Sequence, residues 1–354
     1  MDNMKTFKIG NKEINNKTPF IIAEAGVNHN GSLKLALKLV DMAMGAGADA
    51  IKFQTFRANQ VVTDVGEMAD YQKKNTGVIK SQLAMLKDLE FDESWYPEVI
   101  DYCKKKKIIF LSTPHGGFES VKLLNKYRIQ AFKFGSGDLT NLPVLQYAAS
   151  FKKPMVLGTG MATLNEVSEA VKCIKKTGND KIILLHCTSE YPCPNQDVNL
   201  LAMKTLGQKF DLPFGYSDHT IGDHVAIMAC AMGASLIEKH ITLDKNMPGP
   251  DHCTSMEFAE LQKMISVVKQ TGIILGSPVK KPTLKEIKMK KTVRRSLVAS
   301  KDIKEGEIFS LENLEIKRPN NGLKPKVFFQ IVGKKAKRSI KADSLISLKD
   351  ITSS

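Results

Sequence analysis

The chain has 354 residues, of which 42% are hydrophobic and 25% are charged, a composition typical of a globular protein and unlike a disordered or fibrous one. No apolar run approaches the roughly 20 residues that span a bilayer, and the N-terminal stretch "MDNMKTFKIGNKEINNK" lacks the apolar segment of a secretory signal, so we expect a cytoplasmic protein with no membrane partner. The six cysteines form no C-x-x-C pair, which favours reduced thiols, and the net charge of +15 points to anionic partners.

Short apolar runs alternate with amphipathic segments over the first three quarters of the chain. The amphipathic segments, such as "GSLKLALKLVDMAMGAGA", have apolar residues at spacings of three and four, which predicts helices. The apolar runs have the length and composition of buried parallel strands. They are "FIIAEAG" (20–26), "AIKFQTF" (50–56), "IIFLSTP" (108–114), "AFKFGSG" (131–137), "MVLGTG" (155–160), "IILLHCT" (182–188), "FGYSDH" (214–219) and "LIEKHIT" (236–242).

Eight strand–helix units are the content of a (β/α)₈ TIM barrel, which typically occupies about 250 residues. The alternative is a doubly wound open sheet. Such a sheet binds phosphate at a G-x-G-x-x-G turn after its first strand, and "EAGVNHNGS" does not have that pattern. The sequence therefore favours an α/β fold of the barrel type.

The pattern changes near residue 277. Residues 278–292 are rich in lysine and are predicted to be a linker. Residues 293–354 contain short β-like runs broken by turn residues, which indicates a small β-rich domain with little core of its own. We therefore expect a barrel domain over 1–277, a linker over 278–292 and a small domain over 293–354.

The basic excess lies in this C-terminal region. Residues 279–354 contain 20 Lys and Arg against 8 Asp and Glu. Nucleic acid, acidic lipid and small anionic substrates could each explain such an excess. Because the sequence has neither zinc-finger spacing nor an aromatic RNP-like run, we expect no nucleic-acid partner and interpret most of these lysines as solvated surface.

Polar side chains lie at or just beyond the ends of nearly all the predicted strands. In a TIM barrel these ends converge on one mouth, where the active site lies. Convergence of this kind predicts a site for a polar small molecule. The candidate residues are Glu24, Lys52, Gln54, Thr113, Lys133, Ser136, Asp138, Ser189, Tyr191, Ser217, His219, Glu238 and His240.

Lys52 and Lys133 lie within apolar strands, so each needs a partner or a ligand charge. With several hydroxyls nearby, they suit a phosphate or a carboxylate. Two alternatives stay open, namely internal salt bridges with Glu24 or Glu238, and a Schiff base, since burial lowers the pKa of a lysine.

His219 and His240 end consecutive strands and can therefore be neighbours. Two imidazoles with open positions suit Mn²⁺, Zn²⁺ or Fe²⁺, whereas the alternative is a hydrogen-bonded pair in the core. A loop rich in Gly and Pro follows His240 and ends in Asp251 and His252, which makes both of these residues further candidates.

The motifs "IIAEAGVNHNGS", "IKFQTF", "LSTP", "FKFGSGD", "GTGMAT", "HCTSEYP", "GYSDHTIG" and "EKHITLDKNMPGPDH" together resemble sialic acid synthases. The segment "SLVASKDIKEGE" and the later "IKRPNNG" resemble the small β-clip, or antifreeze-like (SAF), domain of that family. The resemblance covers nearly the whole chain. It implies a metal-dependent barrel that joins phosphoenolpyruvate to an N-acetylhexosamine, in a domain-swapped homodimer.

The resemblance also implies roles for individual residues. Glu24, Lys52, Lys133 and Asp251 would be catalytic, and His219 and His240 would bind Mn²⁺, with Mg²⁺ or Co²⁺ as alternatives. Phosphoenolpyruvate would be held by Lys52, Thr113, Lys133, Ser136, Ser189 and Ser217. The sugar would be held by Gln54, Asp138, Tyr191, Asp251 and, from the partner chain, Arg318.

This sequence departs from the family pattern at three of these places. Ser189 stands where many members have Asn, Asp138 stands where many have Glu, and Arg294 lies near a position that some members fill with an aromatic residue.

The reaction expected from the resemblance is condensation of phosphoenolpyruvate with N-acetylmannosamine and water to give N-acetylneuraminate and phosphate by C–O cleavage. Glu24 is the candidate for positioning or deprotonating the water. The alternative substrate is 2,4-diacetamido-2,4,6-trideoxymannose, which gives legionaminate, and an altrose analogue that gives pseudaminate is a further possibility. A Schiff-base aldolase and a binding or ice-binding protein are the other classes.

Overall fold

The computed structural model describes residues 6–63, 66–76 and 81–352. The chain divides into two compact units, Met1–Gly276 and Ser277–Ser354. Within the described residues, no helix is both long and apolar enough to cross a membrane.

The first unit is built on an eight-stranded parallel sheet. Its strands are β1 (Phe20–Gly26), β2 (Ala50–Thr55), β3 (Ile109–Pro114), β4 (Phe132–Phe134), β5 (Met155–Gly158), β6 (Ile182–His186), β7 (Phe214–Asp218) and β8 (Leu236–His240). The hydrogen-bonded order is β3–β2–β1–β8–β7–β6–β5–β4. The end strands β3 and β4 lie side by side, so the sheet is a nearly closed barrel and the predicted fold class is confirmed.

A helix follows each strand and packs on the outside of the barrel. These helices are α1 (Leu33–Ala46), α2 (Tyr96–Lys106), α3 (Gly117–Lys126), α4 (Leu142–Ser150), α5 (Leu164–Lys176), α6 (Leu201–Phe210), α7 (His224–Ala231) and α8 (Phe258–Leu275). Helix α5 begins with a reciprocal capping box, in which Thr163 accepts from the Glu166 amide and the Glu166 carboxylate accepts from the Thr163 amide. Such caps satisfy amide groups that the first helical turn leaves unpaired.

The connection from β2 to α2 is longer than the others and contains short helices that the apolar periodicity did not predict. They are Ala58–Val61, Asp70–Thr76 and Gln82–Lys87. Ala69, Gln72, Met85 and Leu89 in this connection line a cavity at the mouth of the barrel. The insertion therefore forms one wall of that cavity.

Side chains along each barrel strand alternate between the interior and the helices, as the two-residue period of a strand requires. In β1, Phe20 and Ile22 pack in the barrel interior, whereas Ile21 and Ala23 pack against the helices. The next inward position of β1 is Glu24, which lines the cavity. The interior therefore has an apolar layer near the strand starts and a polar layer above it.

The opposite end of the barrel is covered by an N-terminal hairpin, formed by the two-residue strands Lys8–Ile9 and Lys12–Glu13. Ile9 and Ile14 are fully buried and belong to the same apolar cluster as Phe20 and Ala50. This hairpin was not predicted, because two residues are too few for a periodic signal. It closes the barrel floor with apolar side chains.

The second unit has its own small core. Its strands β9 (Ser296–Ala299) and β10 (Leu314–Lys317) pair antiparallel. The predicted linker region contains a helix, α9 (Leu284–Val293), which starts with a reciprocal capping box made by Thr283 and Glu286. The core side chains are Leu297, Ala299, Ile303, Phe309, Leu314, Ile331, Ala336, Ile340 and Ile346.

Candidate active site

The polar layer of the barrel brings together charged side chains from strands that are far apart in the sequence. Lys52 Nζ lies 2.7 Å from Glu24 Oε2 on the neighbouring strand β1 and 3.7 Å from Glu238 Oε2 on β8. It also donates a 2.9 Å hydrogen bond to Thr113 Oγ1 on β3. The lysine is therefore fixed from three directions.

Lys133 completes the layer from β4. Its Nζ lies 3.0 Å from Glu238 Oε1, and Ser217 Oγ donates a 3.0 Å hydrogen bond to the same oxygen. Internal salt bridges of the two lysines with Glu24 and Glu238, one of the alternatives that the sequence left open, are thus present. An anionic ligand at this layer would compete with the two carboxylates for the two ammonium groups.

Glu238 is a central residue of this layer. The sequence placed it among the strand-end candidates and indicated its possible salt bridge, but the resemblance gave it no role. Its signal in the sequence is the i, i+2 spacing to His240 in "LIEKH", which places both side chains inside the barrel. From the sequence alone, a glutamate in a strand can equally be a site residue or a salt-bridge partner of a neighbouring lysine. Only the three-dimensional layer shows that it contacts Lys52, Lys133 and Ser217 together.

The two carboxylates of the layer differ in their proton affinity. Burial raises the pKa of Glu24, and the nearby Lys52 only partly opposes this effect. Burial also acts to raise the pKa of Glu238, but the ammonium groups of Lys133 and Lys52 outweigh it and hold that pKa below its usual value. Glu24 is therefore the group better suited to take up a proton near neutral pH.

The two predicted histidines lie next to each other at the ends of β7 and β8, with their ring centroids 5.6 Å apart. Burial lowers the pKa of His219 to about 4, and burial together with His219 lowers the pKa of His240 well below its usual value. Both rings are consequently neutral at physiological pH. A neutral imidazole has the free lone pair that a metal ion requires.

The hydrogen bonds of these histidines fit a metal ligand pair. His219 Nδ1 lies 2.6 Å from the carbonyl oxygen of Thr188, so Nδ1 carries the proton, and the lone pair is on Nε2, which lies 3.0 Å from the Tyr191 hydroxyl oxygen. His240 Nδ1 is buried and has no hydrogen-bond partner among the described residues. In the described part of the chain, however, no group of three or more His, Cys, Asp or Glu side chains could hold a metal ion. The two imidazoles therefore fit an open site whose other ligands come from substrate or water.

The loop after β8 places Asp251 next to His240 in the cavity. Asp251 is buried, lines the cavity, and has Oδ2 3.8 Å from His240 Nδ1. Burial raises its pKa to about 6. His252 instead faces away and ties the loop to the barrel, with Nδ1 2.7 Å from Thr242 Oγ1 and Nε2 3.0 Å from Asn30 Oδ1.

These groups surround a cavity of about 380 Å³, large enough for two small substrates. Among the residues that line it are most of the predicted site residues. They are Glu24, Lys52, Gln54, Thr113, Lys133, Ser136, Ser189, Tyr191, Ser217, His219, His240 and Asp251. Which substrate each of them binds stays a prediction.

Asp138, a predicted sugar ligand of the barrel unit, is not among the lining residues. The Asp138 carboxylate lies 2.7 Å from Nδ1 of His115, and it is His115, not predicted from the sequence, that lines the cavity. The shorter side chain of Asp138 is occupied by this contact. Arg318 is exposed in the second unit, as is Arg294, and their expected roles toward the sugar stay predictions.

Known proteins resemble the chain over nearly its full length. N,N'-diacetyllegionaminic acid synthase from Campylobacter jejuni subsp. jejuni serotype O:2 is 48% identical over 332 residues, which cover 93% of this chain and 99% of the relative. The protein of the same name from Legionella pneumophila subsp. pneumophila is 43% identical over 335 residues, which cover 93% of each.

Among solved structures, N-acetylneuraminic acid synthetase from Leptospira borgpetersenii serovar Hardjo-bovis, in complex with citrate, is 34% identical with a TM-score of 0.71 and covers 81% of this chain and 95% of that one. The family model described as NeuB family matches residues 39–280, and that of the SAF domain matches residues 294–352. The barrel, its charged mouth and these matches agree with the predicted resemblance, and the chain belongs to the NeuB family of sugar acid synthases and carries a SAF domain.

Proposed function

We propose that this protein condenses phosphoenolpyruvate with 2,4-diacetamido-2,4,6-trideoxymannose and water to form N,N'-diacetyllegionaminate and phosphate. The observation that carries the chemistry is the buried layer of Lys52, Lys133, Glu24 and Glu238 beneath the paired histidines. The choice of sugar is supported by the two similar legionaminic acid synthases. N-acetylmannosamine, the substrate favoured by the motifs alone, is the second candidate.

Phosphoenolpyruvate fits the lysine layer because both of its anionic groups need cationic partners in a site with little water. Lys52 and Lys133 are 2% and 5% exposed, so their charges are weakly screened. The hydroxyls of Thr113, Ser136 and Ser217 supply further donors around them. Binding in this orientation would release Glu24 from its contact with Lys52 and leave it free to act on water.

The reaction forms a C–C bond between the substrates and a C–O bond from water to C2, and it breaks the C–O bond between C2 and phosphate. C3 of phosphoenolpyruvate attacks the aldehyde carbon of the open-chain sugar, and the resulting oxocarbenium at C2 takes up water. Glu24, whose pKa burial raises, accepts one proton of that water and returns it to the alkoxide oxygen formed from the aldehyde. The C2 hydroxyl then gives its proton to the departing phosphate as the C2 ketone forms. The lysines stabilise the anionic groups throughout.

His219 and His240 are the residues that would hold a divalent metal, for which we propose Mn²⁺. When bound, such an ion supplies Lewis-acid polarisation of the aldehyde oxygen. The Thr188 carbonyl orients the ring of His219, so the protein keeps this ligand in one tautomer. The proposed homodimer, in which Arg318 of one chain reaches the sugar of the other, rests on the family resemblance.

Phosphate release from phosphoenolpyruvate tests the proposal. The purified protein is supplied with 2,4-diacetamido-2,4,6-trideoxymannose, N-acetylmannosamine or the altrose analogue, before and after exhaustive chelation, with Mn²⁺ added back. We expect the highest kcat/KM with the first sugar and a loss of turnover on chelation. A higher kcat/KM with N-acetylmannosamine would show that this sugar, and not the proposed one, is the substrate. Full activity after chelation would show that the reaction needs no metal.

Borohydride trapping separates this chemistry from that of a Schiff-base aldolase. Incubation with pyruvate and borohydride should leave the mass of the protein unchanged, since the lysines are proposed to act as cations and not as nucleophiles. A covalent adduct at Lys52 or Lys133 would contradict the proposed mechanism. Transfer of ¹⁸O from phosphoenolpyruvate C2 into the released phosphate would establish C–O cleavage directly.

A further inference from the structure

A histidine–aspartate pair lies at the mouth of the barrel, apart from the charged layer. His115 Nδ1 lies 2.7 Å from Asp138 Oδ2. His115 directly follows β3, and Asp138 ends the short turn Ser136–Asp138 after β4. These are the two end strands of the hydrogen-bonded ladder, so the pair spans the place where the barrel is not closed by backbone hydrogen bonds.

The backbone beneath the pair is shaped to hold the imidazole ring. A Cβ atom on Gly135 would lie 2.9 Å from Cε1 and 3.6 Å from Nε2 of His115, which is too close for any side chain larger than hydrogen unless the ring moved. The ring therefore lies against the bare backbone of Gly135, and both residues line the cavity. The His115 ring is thus held by its hydrogen bond to Asp138 and by packing against the backbone of Gly135.

The depth of the pair indicates which substrate it meets. The His115 side chain is 28% exposed and that of Asp138 19%, against 3% for Lys52 and 7% for Lys133. The pair thus lies outward of the lysine layer. A ligand whose anionic groups sit on the lysines occupies the inner part of the cavity, so the ligand that meets His115 is the one bound outside it, the acceptor sugar.

The chemistry of the pair also suits a sugar better than an anion. An ionised carboxylate only accepts hydrogen bonds, so Nδ1 of His115 donates to Asp138, and Nε2 is the ring nitrogen that can bind a ligand. When it carries no proton, this nitrogen is an acceptor that matches a sugar hydroxyl or the N–H of an acetamido group. The carboxylate beside the ring would repel a phosphate.

We propose that His115 is a specificity-determining residue that accepts a hydrogen bond from the acceptor sugar, and that Asp138 is a positioning residue that acts through His115. This inference rests on the proposed function, because it takes the inner ligand to be phosphoenolpyruvate and the outer one to be an N-acetylated hexosamine.

The test compares KM values for the two substrates in the variants His115→Phe, His115→Gln, Asp138→Ala and Asp138→Asn. His115→Phe keeps a ring but removes the acceptor, so KM for the sugar should rise roughly tenfold, the loss of one hydrogen bond, while KM for phosphoenolpyruvate stays within about twofold. His115→Gln retains an acceptor oxygen and should recover part of the loss. His224→Phe is the matched control, since His224 is also hydrogen-bonded to a polar side chain, Asn195, but lies outside the cavity.

A double-mutant cycle tests the role given to Asp138. If Asp138 acts through His115, Asp138→Ala combined with His115→Phe should raise the sugar KM no further than His115→Phe alone. Additive effects, or an equal rise in the two KM values, would overturn the proposal. A His115→Phe variant that folds, as judged by unchanged thermal unfolding, and keeps the wild-type sugar KM would also overturn it.

The outcomes separate this inference from the proposed function. If the unmodified protein releases no phosphate with any of the hexosamines, the proposed function fails and the inference falls with it. If it turns over a hexosamine normally but the His115 variants match the His224→Phe control, only the inference fails.

Discussion

Lys133 and Glu238 form a 3.0 Å ion pair that crosses the barrel, because their strands β4 and β8 lie on opposite sides of the ring. The pair is buried, and Lys52 lies 3.7 Å from the other oxygen of the same glutamate. The charges of both lysines thus meet in the centre of the interior. Removal of any one member leaves the others without a full set of partners.

Replacing Lys133 by Met should therefore affect stability and activity together. Loss of the ammonium leaves the buried Glu238 charge poorly compensated, which we expect to lower the free energy of unfolding by about 3–5 kcal/mol. The double variant Lys133→Met with Glu238→Gln should recover most of the stability but none of the phosphate release. Trp95, the single tryptophan of the chain, packs on Phe91 in the barrel unit, so its fluorescence follows the unfolding of that unit.

The control for this experiment is Lys172→Met, since Lys172 is exposed on α5. It should change neither the unfolding transition nor turnover. A Lys133→Met protein with normal kcat/KM for phosphoenolpyruvate would show that the lysine has no part in binding the anion.

The ionised side chain of Asp251 should lower the free energy of unfolding at neutral pH. Burial raises its pKa to about 6 in the folded chain, against about 3.9 for an unfolded Asp, so the folded state binds the proton more tightly. The contribution of Asp251 to stability is hence most favourable below pH 4 and is lost as the pH rises through 6. Asp251→Asn should raise the free energy of unfolding by up to about 3 kcal/mol at pH 7.5, with no gain at pH 3.5.

Unfolding of both proteins by urea, followed by Trp95 fluorescence at the two pH values, measures this difference. We expect the same substitution to reduce turnover, because the proposed sugar ligand loses its charge. A stability gain that does not depend on pH would mean that the Asn side chain packs better and that proton binding is not the cause.

Mn²⁺ binding should survive mild acid. Burial lowers the pKa of His219 to about 4, so protons displace a metal from this ring only when the pH approaches that value, and not near 6.5 as for an exposed histidine. Electron paramagnetic resonance of free Mn²⁺ measures binding independently of turnover. We expect little change between pH 7.5 and pH 5.5, and a loss of affinity of at least tenfold in His219→Ala and in His240→Ala. Binding that is unchanged in both variants would place the metal elsewhere.

Lys239 and Asp218 form a second buried pair, on the outer side of β8 and β7. Lys239 Nζ lies 2.9 Å from Asp218 Oδ2 and also donates to the carbonyl oxygen of Thr220, and the side chains are 1% and 0% exposed. Lys239→Met leaves Asp218 buried and unpaired by a cation, which should lower the free energy of unfolding by about 3–5 kcal/mol. Since the pair does not line the cavity, KM values at low temperature should stay as in the unmodified protein.

Lys104→Met is the matched control for this substitution. Lys104 also pairs with an Asp, at 2.8 Å from Asp101, but both side chains are exposed on α2. Solvent screens such a pair, so its loss should leave the unfolding transition in place. A Lys239→Met protein as stable as this control would contradict the cost assigned to the buried charge.

The sequence was sufficient for those parts of the fold that follow from local periodicity. All eight predicted strands are present, and the run 20–26 matches β1 at both ends, whereas the predicted run 131–137 contains a strand of only three residues, Phe132–Phe134. The predicted strand included the residues "GSG" after Phe134, because small residues do not mark the end of a strand sharply. The N-terminal hairpin and the short helices between β2 and α2 have no period long enough to detect.

Site residues at the strand ends were predictable from the sequence. The role of a residue was harder to predict where it depends on which side chain that residue contacts. Lys52 and Lys133 stood out because a lysine flanked by apolar residues needs an explanation. Glu238 was a candidate without an assigned role, since a glutamate near lysines is already accounted for as their salt-bridge partner. Asp138 was assigned by motif, but its contact with His115 depends on how two loops meet at the gap between β3 and β4, which no local pattern encodes.

The isoleucine pair that closes the barrel floor has a kinetic consequence. With Ile9 and Ile14 packed into that end, reactants and products share the mouth as their route. Phosphoenolpyruvate, the inner ligand, must then bind before the sugar, and a bound sugar prevents phosphoenolpyruvate from dissociating. Phosphoenolpyruvate and hexosamine should accordingly follow a compulsory order, and an unreactive analogue of the sugar should inhibit uncompetitively with respect to phosphoenolpyruvate.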